Sequence, residues 1–183
     1  AFRLFGNTVD RIDALFRNCT ISGNRANDIG GASADRSATV QMHHTTVTGN
    51  TAANQGAGIH QIQNSVLEAS YSVIDAGCYS EPDSLLVSLG YNAVLSTATE
   101  QCVLTPVDGV NTDLILSPEE MKLEALADNG GSTLTHLPSI DSVLIDAVSA
   151  ATCSPEINED QRGKPRNNGA SCDIGAVELQ DDD

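Results

Sequence analysis

Apolar and polar positions in the first part of the chain recur at a fixed offset rather than with the period of a helix. Cys19-Thr20-Ile21-Ser22-Gly23-Asn24 returns 26 residues later as Thr45-Thr46-Val47-Thr48-Gly49-Asn50, and a degenerate third copy, Tyr71-Ser72-Val73-Ile74-Asp75-Ala76, follows at the same spacing. The offset also carries Ala14 onto Val40 and Val66, Leu15 onto Gln41 and Leu67, and Gly30 onto Gly56. Each unit holds two short stretches rich in Thr, Val and Ile, separated by Gly and Asn turn signals, with no amphipathic helical run. The Leu-x-x-Leu-x-Leu pattern of leucine-rich repeats is missing.

This pattern predicts a coil whose turns stack strand on strand, about 4.8 Å apart. Ile21, Val47 and Val73 would form an inward aliphatic ladder, and Thr20, Thr46 and Ser72 would face water. Asn18, His44 and Ser70 fall at a bend, and Gly23 and Gly49 at corners that need positive φ. A single turn cannot bury its apolar face, so stability comes from stacking and the coil ends need caps.

The register stops near Cys78, which divides the chain into repeats over 1–77 and a cap over 78–183. Within the cap, Ser117 and Pro118 signal a helix start and Asn129-Gly130-Gly131 a stop, predicting a helix over about 118–127. Its Met121, Leu123 and Leu126 would form a lid on the last turn.

Composition narrows the classes. Aromatic residues make up only 3% of the chain and Trp is absent, so the core must be built from Val, Leu, Ile and Ala. A formal charge of −16 repels phosphate backbones and anionic lipid, which argues against nucleic-acid or membrane-surface partners. No apolar run is long enough to span a bilayer. The opening Ala1-Phe2-Arg3 reads as a processed chain or a piece of a longer one.

The five cysteines show no C-x-x-C spacing, which argues against a thiolate metal cluster. Spacing leaves their connectivity open. Neighbour pairing, Cys78 with Cys102 and Cys153 with Cys172, closes short local loops in an oxidising compartment. Cys19 is left over as a small buried hydrophobe.

Ser22-Gly23-Asn24 and Thr48-Gly49-Asn50, each followed by a Gly-rich stretch, resemble the repeats of pectin-lyase-like right-handed β-helix proteins of bacterial surfaces. Downstream, Ala127-Asp128-Asn129-Gly130-Gly131-Ser132-Thr133-Leu134-Thr135-His136-Leu137, Leu144-Ile145-Asp146-Ala147, Asp160-Gln161-Arg162-Gly163 with Pro165-Arg166, and Cys172-Asp173-Ile174-Gly175-Ala176-Val177-Glu178 look like the choice-of-anchor Q domain. The resemblance covers 78–178 and implies a secreted protein whose β-helix closes shortly before a cell-surface anchor. The closing Leu179-Gln180-Asp181-Asp182-Asp183 does not resemble such an anchor, so secretion is the firmer implication.

Candidate chemistry is sparse. Polysaccharide-cleaving β-helix proteins cluster carboxylates on adjacent turns. The strand carboxylates Glu68 and Asp75 lie, by the 26-residue offset, over Met42 and Gly49, so none stack. His43 and His44 are strand neighbours and point to opposite faces, and His60 stands apart. Asp160, Arg162, Arg166, Asp173 and Glu178 form a motif that pins a loop more readily than it catalyses. Asp108-Gly109-Val110-Asn111-Thr112-Asp113 offers hard oxygen ligands for calcium without full EF-hand spacing, and no other cofactor is expected.

The expectation is an all-β, right-handed parallel β-helix of about 26 residues per coil with an irregular, disulfide-bonded cap. Its role would be an extracellular structural or adhesion module that contacts a glycan or surface protein. A filament subunit associating through its coil ends and the non-catalytic end of a polysaccharide lyase or hydrolase are the alternatives.

Overall fold

The computed structural model describes residues 2–5, 12–54, 57–96, 102–107, 112–153, 156–166 and 171–183. Its elements are β1 (Phe2–Phe5), β2 (Asp13–Ser22), β3 (Arg25–Ala26), β4 (Ala32–Asp35), β5 (Thr39–Thr48), β6 (Thr51–Ala52), β7 (Ile59–Ile62), β8 (Val66–Ser70) and β9 (Val73–Ile74). They continue with β10 (Cys78–Ser80), β11 (Leu85–Ser88), β12 (Ala93–Leu95), β13 (Thr105–Pro106), β14 (Leu114–Leu116), α1 (Pro118–Met121), β15 (Val148–Ser149) and β16 (Ser171–Cys172). The protein is therefore all-β with one short helix among the described residues.

Pairing is parallel throughout β1–β14. One sheet runs β1-β4-β7-β10, a second joins β2, β5, β8, β9 and β11–β14, and β3 pairs β6. The 26-residue offset is real for β2 on β5, where Ile21 lies beside Val47, and for β3 on β6. It then slips. Ala32 pairs Ile59, Val40 pairs Leu67 and Val47 pairs Ile74, all 27 residues apart, so one residue has been added in the turn after β6.

Because strand side chains alternate faces, that single residue inverts the expected third copy. Ile74, not Val73, continues the inward ladder, which runs Ile21, Val47, Ile74 and Val94. Tyr71, not Ser70, takes the bend. Asn18, His44, Tyr71 and Tyr91 all have left-handed φ, between 47° and 56°. The rings of this column stack, His44 on Tyr71 at 4.7 Å and Tyr71 on Tyr91 at 5.7 Å. Gly56 lies outside the described residues; Gly31, the neighbour of Gly30, packs against Gly58.

Parallel pairing also crosses the expected boundary at 77/78. Cys78 pairs Ile59 and Leu86 pairs Leu67, 19 residues apart, and Ala93 pairs Val73 and Leu114, 20 and 21 residues apart. These shortened repeats carry the stack to Leu116, and a search at one fixed offset passes over them. Their interior is small and aliphatic: Val40, Met42, Val47, Ile59, Leu67, Ile74, Leu86 and Val94 are buried together. Burying one such side chain contributes roughly 1.5–3 kcal/mol.

Both expected disulfides are present. Cys78–Cys102 sits in the interior of the shortened repeats, and Cys153–Cys172 ties the strand pair β15–β16 in the C-terminal segment. Such bridges form and persist outside reducing compartments. Cys19 is free but only half-buried, and burial pushes its thiol up.

The helix is shorter than expected. Lys122 takes a left-handed φ of 39° and ends α1 after Met121, which is buried. Beyond it the chain is extended. Ala127 and Thr135 exchange both main-chain hydrogen bonds at 3.0 Å, and Glu124 N–H donates to the Leu137 carbonyl at 2.8 Å. This antiparallel return takes Leu123 and Leu126 out of the helix and leaves Leu126 exposed.

Candidate functional site

The C-terminal segment is not a lid on the last turn. It runs back along the side of the stacked repeats as far as β2. Asn18 Nδ2 donates to the Glu159 carbonyl at 2.7 Å, Thr20 donates to Gln161 Oε1 at 2.6 Å, and Ser22 Oγ meets His136 Nε2 at 2.7 Å. On the next repeats Ala176 N–H donates to Thr46 Oγ1 at 3.0 Å, and Gly175 N–H donates to the Tyr71 carbonyl at 2.8 Å. Thr46 is therefore buried rather than facing water, Ser72 is buried because the slip turns it inward beside Thr45, and Val73 joins a second apolar cluster with Met121, Leu144, Val148 and Ile174. Gly175 fits where a side chain does not. A Cβ there would lie 3.0 Å from Thr46 Oγ1 and 3.1 Å from Val73 Cγ2, at a φ of 116°.

The motif residues converge at this contact. Asp160 accepts main-chain N–H groups of Arg162 (2.7 Å), Lys164 (3.1 Å) and Glu178 (3.1 Å) and the Arg162 Nε (2.9 Å). Arg162, almost wholly buried, also reaches the carbonyls of Asn129 (3.2 Å) and Glu178 (2.6 Å) and the Asp183 carboxylate (2.7 Å). Asp173 receives N–H of Asp146 (2.8 Å) and Leu179 (2.7 Å), while its own N–H goes to Glu178 Oε2 (2.9 Å). Arg166 crosses to the stack, donating to Asn18 Oδ1 (2.8 Å) and the Gly175 carbonyl (3.0 Å), with Glu178 Oε2 3.8 Å from its other amino group.

Asp128 caps the turn by accepting Gly130 N–H at 3.2 Å, and Asn129 Nδ2 donates to the Thr135 carbonyl at 2.9 Å. Gly130, Gly131 and Gly163 turn at φ of 85°, 89° and 80°. A Cβ on Gly131 would lie 2.8 Å from Arg162 Cα, so this glycine lets the two motifs touch.

These charges are spent mostly on main-chain groups. Burial, with the Asp173 carboxylate beside it, pushes Glu178 up to about 8, and burial likewise raises Asp173. Against a burial penalty, Arg162 and Lys164 hold Asp183 down to about 2. The signs oppose. A carboxyl raised by folding keeps its proton after the unfolded chain has released it, so stability falls as pH rises from about 4.5 towards 8. The depressed Asp183 contributes stability that is lost as pH falls from 3.8 towards 2. Melting temperature across a pH series should therefore peak at about pH 4–5. Glu178→Gln should flatten the alkaline limb; an unchanged limb would remove Glu178 as its source.

No family model, curated protein or solved structure matches the chain.

The remaining candidates separate. Glu68 accepts from Gln41 Nε2 at 2.7 Å and pairs in register with Gln41 and Val87, not over Met42. Asp75 lies over Thr48, not Gly49; the Thr48 hydroxyl and Gly49 N–H donate to its carboxylate. His43 Nδ1 meets Ser70 Oγ at 2.6 Å, and His60 stacks on Tyr79 at 5.2 Å. His44 is fully buried, and burial with the Arg166 charge drives it to about 2, against a weaker pull from Gly175.

Among the described residues no group of three His, Cys, Asp or Glu side chains is arranged to hold a metal. Residues 108–111 of the calcium loop lie outside the described residues, and Asp113 Oδ1 accepts from Ser88 Oγ and the Asn92 amides. His136 stands apart from the charge cluster. It lines a groove of about 360 Å³ between the repeats and the returning segment, with Thr48, Asp75 and Lys122.

Sequence reasoning missed Asn18, Ser22, Lys164 and Asp183. The available signal was the pair of cations Arg162 and Lys164, which Asp183 joins at 2.7 Å each.

Proposed function

We propose that this chain is part of a secreted right-handed parallel β-helix protein and serves as an extracellular or cell-surface structural and adhesion module. The observation that carries the reading is the clasp: Asp160, Arg162, Arg166, Asp173 and Glu178 direct their charges to one another and to main-chain groups that bind the C-terminal segment to the stack. Parallel pairing at offsets of 26, 27 and 19–21 residues supports a solenoid, and both disulfides suit an oxidising compartment. The C-terminal segment is then of the choice-of-anchor Q type, a brace on the β-helix near its point of attachment.

The test is retention of the purified, oxidised chain on insoluble peptidoglycan, chitin and cellulose and on immobilised surface glycoprotein. Saturable retention on one matrix, lost on thermal unfolding, is expected; no saturable retention on any of them would overturn the adhesive role.

A second reading is favoured by one surface. Among the described residues no further strand pairs with the outer edges of β13 and β14, where Val103 is 69% and Ile115 62% exposed. Such an edge invites end-to-end association. Light scattering at rising concentration separates the readings: a mass fixed near 19.1 kDa supports the module, and concentration-dependent growth supports a filament subunit.

A further inference from the structure

Thr48, Asp75 and His136 line the groove beside the clasp, and Ser22, outside its wall, meets it through a contact to His136 that bracing does not require. Register places Ser22 beside Thr48 on adjacent strands, and Asp75 follows on the next repeat, so these polar residues form one column facing outward. Opposite them stands His136, whose Nε2 lies 2.7 Å from Ser22 Oγ and whose Nδ1 lies 2.7 Å from the Glu124 carbonyl.

A carbonyl oxygen only accepts hydrogen bonds, so His136 Nδ1 must carry the proton. Nε2 then presents its lone pair to the Ser22 hydroxyl, which donates. This is the tautomer a general base needs, fixed by a third group as in hydroxyl nucleophiles activated by an imidazole. Ser22 and His136 are both half-buried, neither sealed from solvent nor fully in it. Asp75 lines the same groove as His136 and supplies a carboxylate that offsets charge on an imidazolium.

We propose that Ser22 and His136 form a nucleophile and base pair acting on short-chain acyl esters. The groove volume of about 360 Å³ suits a small acyl group and part of its alcohol, and Leu95, Met121 and Leu123 give it an apolar wall. Ser22 Oγ attacks the ester carbonyl carbon as its proton passes to His136 Nε2. The tetrahedral intermediate collapses with cleavage of the bond between acyl carbon and alcohol oxygen, and the imidazolium returns the proton to the leaving alkoxide. Acyl-Ser22 and a free alcohol result. Water, deprotonated by the same Nε2, then attacks the acyl-Ser22 carbonyl, releasing the carboxylic acid and restoring Ser22.

The experiment treats the oxidised chain with a fluorophosphonate probe, maps the adduct by peptide mass spectrometry, and follows p-nitrophenyl acetate hydrolysis. The expected result is phosphonylation at Ser22, with hydrolysis falling at least tenfold in Ser22→Ala and labelling falling at least tenfold in His136→Ala. Labelling of the unmodified chain decides the matter even if a variant misfolds, and a purely bracing hydrogen bond would give none. An unlabelled Ser22, or equal hydrolysis by a folded Ser22→Ala chain, would overturn the proposal. Neither outcome bears on retention by polysaccharide matrices.

Discussion

Arg166→Ala should lower the unfolding free energy by about 3–6 kcal/mol, because it removes two hydrogen bonds from a charged donor at about 1.5–3 kcal/mol each. Arg166 is 1% exposed, and its guanidinium joins Asn18 of the repeats to the Gly175 carbonyl of the C-terminal segment. Truncation removes that link and leaves Asn18 Oδ1 and the Gly175 carbonyl without their donor. Arg166→Lys should recover part of the loss, since both hydrogen bonds leave one Arg166 nitrogen and an ammonium has donors enough for both acceptors, though on a shorter stem. Urea titration by circular dichroism measures both. A loss under about 1 kcal/mol for Arg166→Ala would mean that the clasp is held by main-chain bonds alone.

The second large effect lies inside the stack. A Cβ at Gly31 would stand 2.1 Å from the Gly58 carbonyl oxygen, which accepts the Ala32 N–H at 2.8 Å. Gly31→Ala must therefore push β4 and β7 apart or break that hydrogen bond. Overpacking costs about 1–3 kcal/mol, and a buried carbonyl left without its partner about 1–3 kcal/mol more. The variant should be among the least stable single substitutions in the repeats, read as a fall in the urea midpoint. A midpoint within 0.2 M of the parent, roughly 0.5 kcal/mol at ordinary slopes, would show that the strands yield easily there.

What could be read from residues alone follows from where the chain keeps its period. Ile21 and Val47 repeat their neighbourhood closely, and their pairing is as expected. One added residue after β6 moves Val73 from the interior to the covered outer face, a change invisible to a pattern in which Val73 and Ile74 are both apolar. Shortened repeats after Cys78 lack a full-length copy to align with, although Leu86 and Val94 keep the interior aliphatic. The cysteine pairs were legible because each closes a short segment. The motif charges were legible as a group, whereas their docking site was not: Asn18, Thr20 and Thr46 carry no local sign that Arg166, Gln161 and Ala176 will meet them.

The return of the C-terminal segment alters how the molecule can come apart. Layers that touch only their neighbours fray from an end, each opening at its own free energy, as in a one-dimensional chain of coupled units. Here Asn18, Thr46 and Tyr71, on successive layers, are all fastened to residues between Glu159 and Ala176. Opening an outer layer means releasing a strap that also holds the inner ones, so the penalty of the first step approaches that of the last and melting becomes nearly all-or-none.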